Sequence, residues 1–293
     1  MKAFITGISG FSGSHLKQLL EKEKIQVSGL YSDLRGKTGL KKIVEKVKPD
    51  WVFHLASPVI RSKQMIDEGL AKNLEVDLFG TVNLIEALAE LKTMPKLLIT
   101  GTAAEYDPEI KAARQETDAL IPNSSYGLSK MTQELVSRKL CQSYDIPLIY
   151  ARSFLLIGPG QKPGFVINDW CRQLAQSQKK LITGNLSIRR DFTDVRDGVA
   201  AYLLLMKKGK PGEVYNVCSG QSRELKEVIL ALKQVVKNDF IVDEDKNRFK
   251  NNDPLELFGD NTKLKALGWK QKFSLEDSLR ETLDYWSSKV RPF

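Results

Sequence analysis

Two groups of residues in this 293-residue chain have the types and spacing to do chemistry together. The first is Gly7-Ile8-Ser9-Gly10-Phe11-Ser12-Gly13, which follows the apolar run Lys2–Thr6 and leads into the helical pattern Ser14–Glu21. A strand that turns this tightly into a helix needs glycine for free φ, for close approach of backbone to phosphate and for helix-to-sheet contact. The helix N-terminus adds unpaired N–H groups and partial positive charge. The layout suits a pyrophosphate held by backbone alone, although its spacing is G-x-x-G-x-x-G, and a plain glycine-rich turn of another α/β protein is the alternative. The second group is Tyr126 and Lys130, at the head of an amphipathic pattern that runs to about Tyr144. Residues four apart on a helix share a face. A tyrosine titrates at about 10 in a model peptide, so proton exchange near neutrality requires a favoured phenolate, which a nearby ammonium and a helix N-terminus supply. An exposed Tyr–Lys pair on a helix surface is the alternative here.

These groups need a scaffold. Helical patterns alternate with short apolar strands as far as about Val217, which predicts α/β architecture: a doubly wound parallel sheet covered on both faces. After Ser153 the alternation loosens into Gly/Pro-containing loops and two helix-like patterns, Phe165–Gln178 and Glu224–Val236. We therefore expect residues 1–153 with 191–217 to form the dinucleotide-binding domain, and 154–190 with 218–293 a smaller substrate lobe.

The glycine spacing and the Tyr-x-x-x-Lys pair resemble the extended short-chain dehydrogenase/reductases of the epimerase/dehydratase type, which carry a modified Rossmann fold. That resemblance implies a third member of the constellation. Lys96–Thr100 reads as a buried strand leading into Gly101-Thr102-Ala103-Ala104-Glu105-Tyr106, and Thr102 matches the family's catalytic hydroxyl, with Thr100 a less well spaced rival. Thr102 would hold the substrate oxygen beside Ala103 and Ala104, Tyr126 would move the proton, and Lys130 would tune Tyr126 and bind the cofactor ribose. Gly7, Ser9, Gly10, Phe11, Ser12 and Gly13 would cradle the cofactor phosphates. The run Val52-Phe53-His54-Leu55-Ala56-Ser57 resembles the family's fourth strand, and Leu55, Ala56 and Ser57 at its end would line the nicotinamide pocket with Thr100 and Ser153.

Within the family the chain is similar to the GDP-4-keto-6-deoxy-D-mannose reductase group. The shared segments are Gly158-Pro159-Gly160-Gln161, Gly164-Phe165-Val166, Gly184-Asn185-Leu186 and the run Arg190–Asp197. The resemblance implies substrate contacts from Phe165, Val166, Asn185 and Arg190, with Arg248, Lys250 and Asp253 near the C-terminus. Arg190 would grip the nucleotide diphosphate through its donor fork. Leu155 stands where relatives of that group have an asparagine. Dehydratases of the family need an acid after the Thr102 position, and Ala103 and Ala104 leave none, while Glu105 falls one residue late. Reduction of a ketone, or epimerisation by oxidation and re-reduction, then remains, alongside a non-catalytic dinucleotide-binding role. At the end of the second strand Tyr31 and Ser32 stand where the cofactor 2′ position is read, and Asp33-Leu34 follows as though a loop and a strand had been deleted. Arg35 and Lys37 favour NADPH over NADH.

The net charge of +9 comes from lysines scattered over helix faces without interleaved aromatic residues, which argues for a solvated basic surface rather than a nucleic-acid partner. Three cysteines without C-x-x-C spacing, no membrane-length apolar run and an opening strand in place of a leader predict a cytoplasmic protein. Two histidines, His15 and His54, support neither a metal site nor a serine hydrolase, and His54 reads as structural. The resemblance also implies a homodimer formed through the Tyr-x-x-x-Lys helix and the helix before it, with a nucleotide-diphosphate sugar as the small-molecule partner.

Overall fold

A computed structural model describes residues 1–30, 33–58, 66–176, 179–236, 239–249 and 254–290. From the N-terminus, β1 (Lys2–Thr6), α1 (Phe11–Lys22), β2 (Gln26–Leu30), α2 (Lys37–Val47) and β3 (Trp51–His54) lead to α3 (Ile66–Leu74). A π-helical turn, Glu75–Phe79, joins α3 to α4 (Gly80–Ala89), and β4 (Lys96–Thr102) ends in a 3-10 turn, Ala103–Glu105, before α5 (Ser125–Ser143) and β5 (Leu148–Ser153). There follow β6 (Leu155–Ile157), α6 (Val166–Ala175), β7 (Lys180–Thr183), β8 (Arg189–Arg190), β9 (Phe192–Asp194), α7 (Val195–Lys208) and β10 (Val214–Val217). The chain closes with β11 (Arg223–Glu224), α8 (Leu225–Val235), β12 (Ile241–Glu244), β13 (Glu256–Leu257), α9 (Thr262–Ala266) and α10 (Leu275–Val290).

Six strands form one parallel sheet in the order β2-β1-β3-β4-β5-β10. Successive side chains of a strand point to opposite faces. Accordingly Ala3 and Ile5 join Leu16, Leu20, Val199 and Tyr202 of α1 and α7, whereas Phe4 joins Leu40, Val44, Leu84 and Leu88 of α2 and α4. Burial on both faces is why these strands read as continuous apolar runs, each large side chain contributing roughly 1.5–3 kcal/mol. A third cluster, built from Trp170, Leu181, Val228, Leu232, Leu275 and Leu279, holds α6, α8 and α10 together.

The departures from the sequence reading are local. The run resembling a fourth strand is the third in chain order and stops at His54, so Leu55–Ser57 form a loop beyond it. Among the described residues β2 is the sheet edge, which fits the loss of one strand after it. α1 starts at Phe11 rather than Ser14, with Gly10 as N-cap, because the glycine turn is itself the first cap of the helix. Of the segment 191–217, Val214–Val217 joins the sheet and α7 covers it, but Phe192–Asp194 pairs with β6 instead. Leu264 and Trp269, assigned by sequence to the substrate lobe, pack in the α1/α7 layer.

What matters for function is the reversal of chain order at β1 and β3, whose carboxyl ends open the crevice where doubly wound sheets bind ligands. The glycine turn leaves β1 there and Leu55–Ser57 leave β3 there.

Candidate active site

The turn after β1 is glycine for reasons of space. Gly7 has φ +71°, and a Cβ on it would stand 2.9 Å from the Ala56 nitrogen. A Cβ on Gly13 would stand 2.1 Å from the Gly7 carbonyl oxygen, so any side chain there would push α1 off the turn. Gly10 donates its N–H to that same carbonyl at 2.9 Å. The first turn of α1 carries no acidic residue and Gly10 makes no side-chain cap, leaving its N–H groups open to an anion. Ser9 is exposed at the turn, Phe11 and Ser12 half-buried. His15, one turn on, bonds the Pro159 carbonyl at 2.9 Å and fastens α1 to the Gly158–Gln161 loop.

The second half of the site stands at the end of β4. Thr102 is its last residue and lies opposite Ser153 of β5. Ser124 caps α5 by accepting the Gly127 N–H at 3.1 Å. Gly127 then lets the helix rest on the 3-10 turn, since a Cβ there would meet the Ala104 carbonyl oxygen at 2.2 Å. That close approach brings the half-buried Tyr126 into a hydrogen bond with the Thr102 side chain. Thr100 instead donates its hydroxyl to the His54 carbonyl at 3.2 Å.

Lys130 lies beneath, 2% exposed, its ammonium donating to the Thr100 carbonyl at 3.2 Å and to Gln133 Oε1 at 3.0 Å, with Asp77 Oδ1 at 3.3 Å. Burial works against that charge, but the carboxylate of Asp77 opposes it and the ammonium is held above its ordinary range. Tyr126 departs from expectation. Burial pushes its phenol above the usual value; Lys130 pulls it down as foreseen and so does the bond to Thr102, while Asp77 pushes it further up. The net result is a protonated tyrosine, a proton donor rather than a waiting base.

His54 proves structural. Its ring lies between Thr6 Oγ1 at 2.6 Å and Thr81 Oγ1 at 2.8 Å, and burial, with Lys130 nearby, drives its pKa to about 3, so it stays neutral. Behind Thr102 is a network that sequence reasoning missed. Glu105 accepts the Thr102 N–H at 2.6 Å, and Arg152 grips both oxygens of Glu134 at 2.8 Å. Arg152 also donates to the Tyr106 hydroxyl at 3.0 Å, which in turn donates to Asn216. Burial, with Glu134 close by, pushes the Glu105 carboxyl well above the usual range, so it is held as the neutral acid. Glu105 is therefore not a spare catalytic acid but the support of the Thr102 backbone.

Of the remaining predicted contacts, Leu34 is buried in the α2/α4 layer and Arg35 is paired to Asp33 at 2.8 Å and to Glu75 at 2.7 Å. Ser153 shares a hydrogen bond with Tyr202 at 2.7 Å. On the lobe side, Leu155, Val166 and Asn185 are half-buried and Phe165 is exposed. Arg190 is buried and donates to the Arg189 and Pro254 carbonyls, both at 2.8 Å, and Arg248 donates to the Ile182 carbonyl at 3.3 Å. Tyr31, Ser32, Lys250 and Asp253 lie outside the described residues.

The profile of the NAD dependent epimerase/dehydratase family matches residues 3–218. The chain belongs to this family. It is 33% identical to the GDP-6-deoxy-D-mannose reductase of Pseudomonas aeruginosa over 99% of this chain and 98% of that one. The structure of RMD from Pseudomonas aeruginosa complexed with NADPH matches with a TM-score of 0.87 and 30% identity, covering 98% of this chain and 99% of that one. UDP-glucuronic acid 4-epimerase from Bacillus cereus, in complex with UDP-glucuronic acid and NAD, gives 0.88 and 25% identity over 99% of this chain and 100% of that one. The family's dinucleotide fits the turn after β1, where backbone packed against backbone at the glycines leaves the first turn of α1 with no side-chain cap and no acidic residue to compete with a phosphate.

The neutral state of Glu105 has a measurable consequence. The folded protein keeps a proton that the unfolded chain has released above the ordinary glutamate range, so wild-type stability should fall as pH rises from there. Glu105→Gln retains the acceptor for Thr102 without that proton: urea unfolding should show stability within about 1 kcal/mol of wild type in mild acid and a flatter pH dependence above it. Glu105→Ala, which strands the amide and leaves a cavity, should cost about 2–4 kcal/mol.

Proposed function

We propose that this protein is an NAD(P)H-dependent oxidoreductase that reduces the 4-keto group of a nucleotide-linked 4-keto-6-deoxyhexose, best read as GDP-4-keto-6-deoxy-D-mannose going to GDP-D-rhamnose. The observation that carries the reading is one proton donor positioned at the Thr102 side chain, with no acid in the two positions that follow Thr102. Tyr126 is held protonated beside Thr102, and the two residues after Thr102 are alanines. Eliminating water from a hexose needs a further acid and base, whereas ketone reduction needs one proton and a hydride. The full-length similarity to a GDP-6-deoxy-D-mannose reductase supports the substrate.

The bound nicotinamide supplies the hydride. In this scheme the Thr102 hydroxyl orients the substrate oxygen, Tyr126 gives it the proton, and Lys130 stabilises the phenolate that remains. Backbone groups of Gly7–Gly13 hold the cofactor phosphates. Arg190 takes the nucleotide diphosphate, and Leu155, Phe165, Val166, Asn185 and Arg248 contact the sugar nucleotide. NADPH is the favoured coenzyme on the strength of Arg35 and Lys37, each of which a 2′-phosphate would draw from a carboxylate partner, Lys37 from Glu86.

A 4-epimerase is the second reading, favoured by the likeness to the UDP-glucuronic acid 4-epimerase. Such an enzyme keeps its NAD through the cycle, so stoichiometric NAD in the purified protein supports it and an empty site supports the reductase. Any sustained turnover removes a purely non-catalytic role. A cytoplasmic location rests on three buried, unpaired cysteines.

Tyr126→Phe should leave coenzyme binding, followed by fluorescence titration, close to wild type and lower kcat about 10²–10⁴-fold; undiminished turnover would remove Tyr126 from its role. The homodimer we infer uses the face on which Phe79, Leu128 and Leu135 are exposed on the π-turn and α5. Sedimentation should give twice the 33.0 kDa chain mass for wild type and the single-chain mass for Leu135→Glu; a monomeric wild type would contradict it.

A further inference from the structure

Asp77 belongs to neither β4 nor α5, the elements that carry the proton-transfer residues, yet its side chain meets two residues of α5. It lies in the π-helical turn between α3 and α4, fully buried, and π-turns recur at functional sites. Its carboxylate accepts the Ser129 hydroxyl at 3.1 Å through Oδ2 and places Oδ1 3.3 Å from the Lys130 ammonium. Apart from that ion pair, Oδ1 has no hydrogen-bond partner.

With Gln133 Oε1 and the Thr100 carbonyl, Asp77 completes three acceptors around an ammonium that has three donors. The charge of Lys130 is thus met inside the protein.

The groups facing Tyr126 can be named element by element. Lys130 comes from α5, Asp77 from the π-turn, Glu105 from the 3-10 turn and Tyr202 from α7. On the Lys130 side His54 of β3 faces the ammonium and is neutral. Glu105 is held as the neutral acid, and Asp77 is the carboxylate that pairs with Lys130. A burial site holding only Lys130⁺ would draw Tyr126 toward the phenolate.

We infer that Asp77 is a positioning residue of the proton-transfer site: by pairing with Lys130 it cancels part of that cation's pull on Tyr126 and keeps the tyrosine a neutral proton donor. This rests on the reductase reading, in which the resting enzyme has to present a proton. A residue that merely tied the π-turn to α5 would give the same fold without the electrostatic effect.

The test is Asp77→Asn in the full-length protein, whose amide can replace the hydrogen bonds but not the charge. Tyrosinate absorbance is titrated against Tyr126→Phe as background, and kcat/KM for GDP-4-keto-6-deoxymannose reduction is followed from neutral to alkaline pH. The Tyr126 midpoint should fall by about one unit or more, the basic limb of kcat/KM should move with it, and Asp77→Glu should bring both back toward wild type. An unmoved midpoint with kcat/KM lowered equally at every pH would overturn the inference. Asp77→Ser, read the same way, serves if the Asn variant does not fold. The absorbance titration needs no substrate, so a wrong sugar assignment, seen as absent turnover in wild type, leaves the Asp77 result readable.

Discussion

A lysine ammonium buried behind a tyrosine has to be balanced from within the protein, and much of the site is arranged around that requirement. Three donors of Lys130 meet a strand carbonyl, an amide from its own helix and a carboxylate from the π-turn. Each acceptor comes from a different element, so β4, α5 and the α3–α4 junction must hold their relative places for the charge to be tolerated. Removing one partner of a buried pair costs far more than the pair contributes, which turns the ion pair into a registration device for these elements. The same cation helps keep His54 neutral, and the neutral ring in turn bridges Thr6 at the end of β1 to Thr81 on α4.

The second carboxylate near the site is handled in the opposite way. Glu105 is relieved of its charge by keeping a proton, and as a neutral acid it supports the backbone of Thr102. Two buried acids near one tyrosine therefore play different parts: Asp77 pairs with the lysine, and Glu105 is neutral and faces the strand end. Gly101 makes this possible, because a Cβ there would stand 2.4 Å from the Glu105 carboxyl oxygen and 2.3 Å from the Tyr150 ring.

Features enforced by short-range geometry were legible in the sequence. The glycine turn declares itself because backbone contact forbids side chains, and Tyr126 and Lys130 declare themselves because four residues make one helical face. Thr102 followed from its place relative to Tyr106. Asp77, Glu134, Arg152 and Gln133 were not legible: Asp77 meets Ser129 and Gln133 meets Thr81 across 52 residues of sequence, Arg152 meets Glu134 across 18, and buried ion pairs leave no periodic mark. Glu105 was noticed and set aside on spacing, since nothing local tells a catalytic acid from one that holds a backbone N–H. The expectation of a favoured phenolate failed for a related reason, as it counted Lys130 and left out the burial and the acids that oppose it.

The central claim is that one protonated tyrosine, one hydroxyl and a dinucleotide cradle make this chain a ketone reductase. It is tested most directly by mixing the purified protein with GDP-4-keto-6-deoxymannose and following the absorbance of reduced nicotinamide, NADPH and NADH supplied separately. The account predicts rapid oxidation, faster with NADPH. No oxidation of either coenzyme by folded protein that still binds nicotinamide would contradict it.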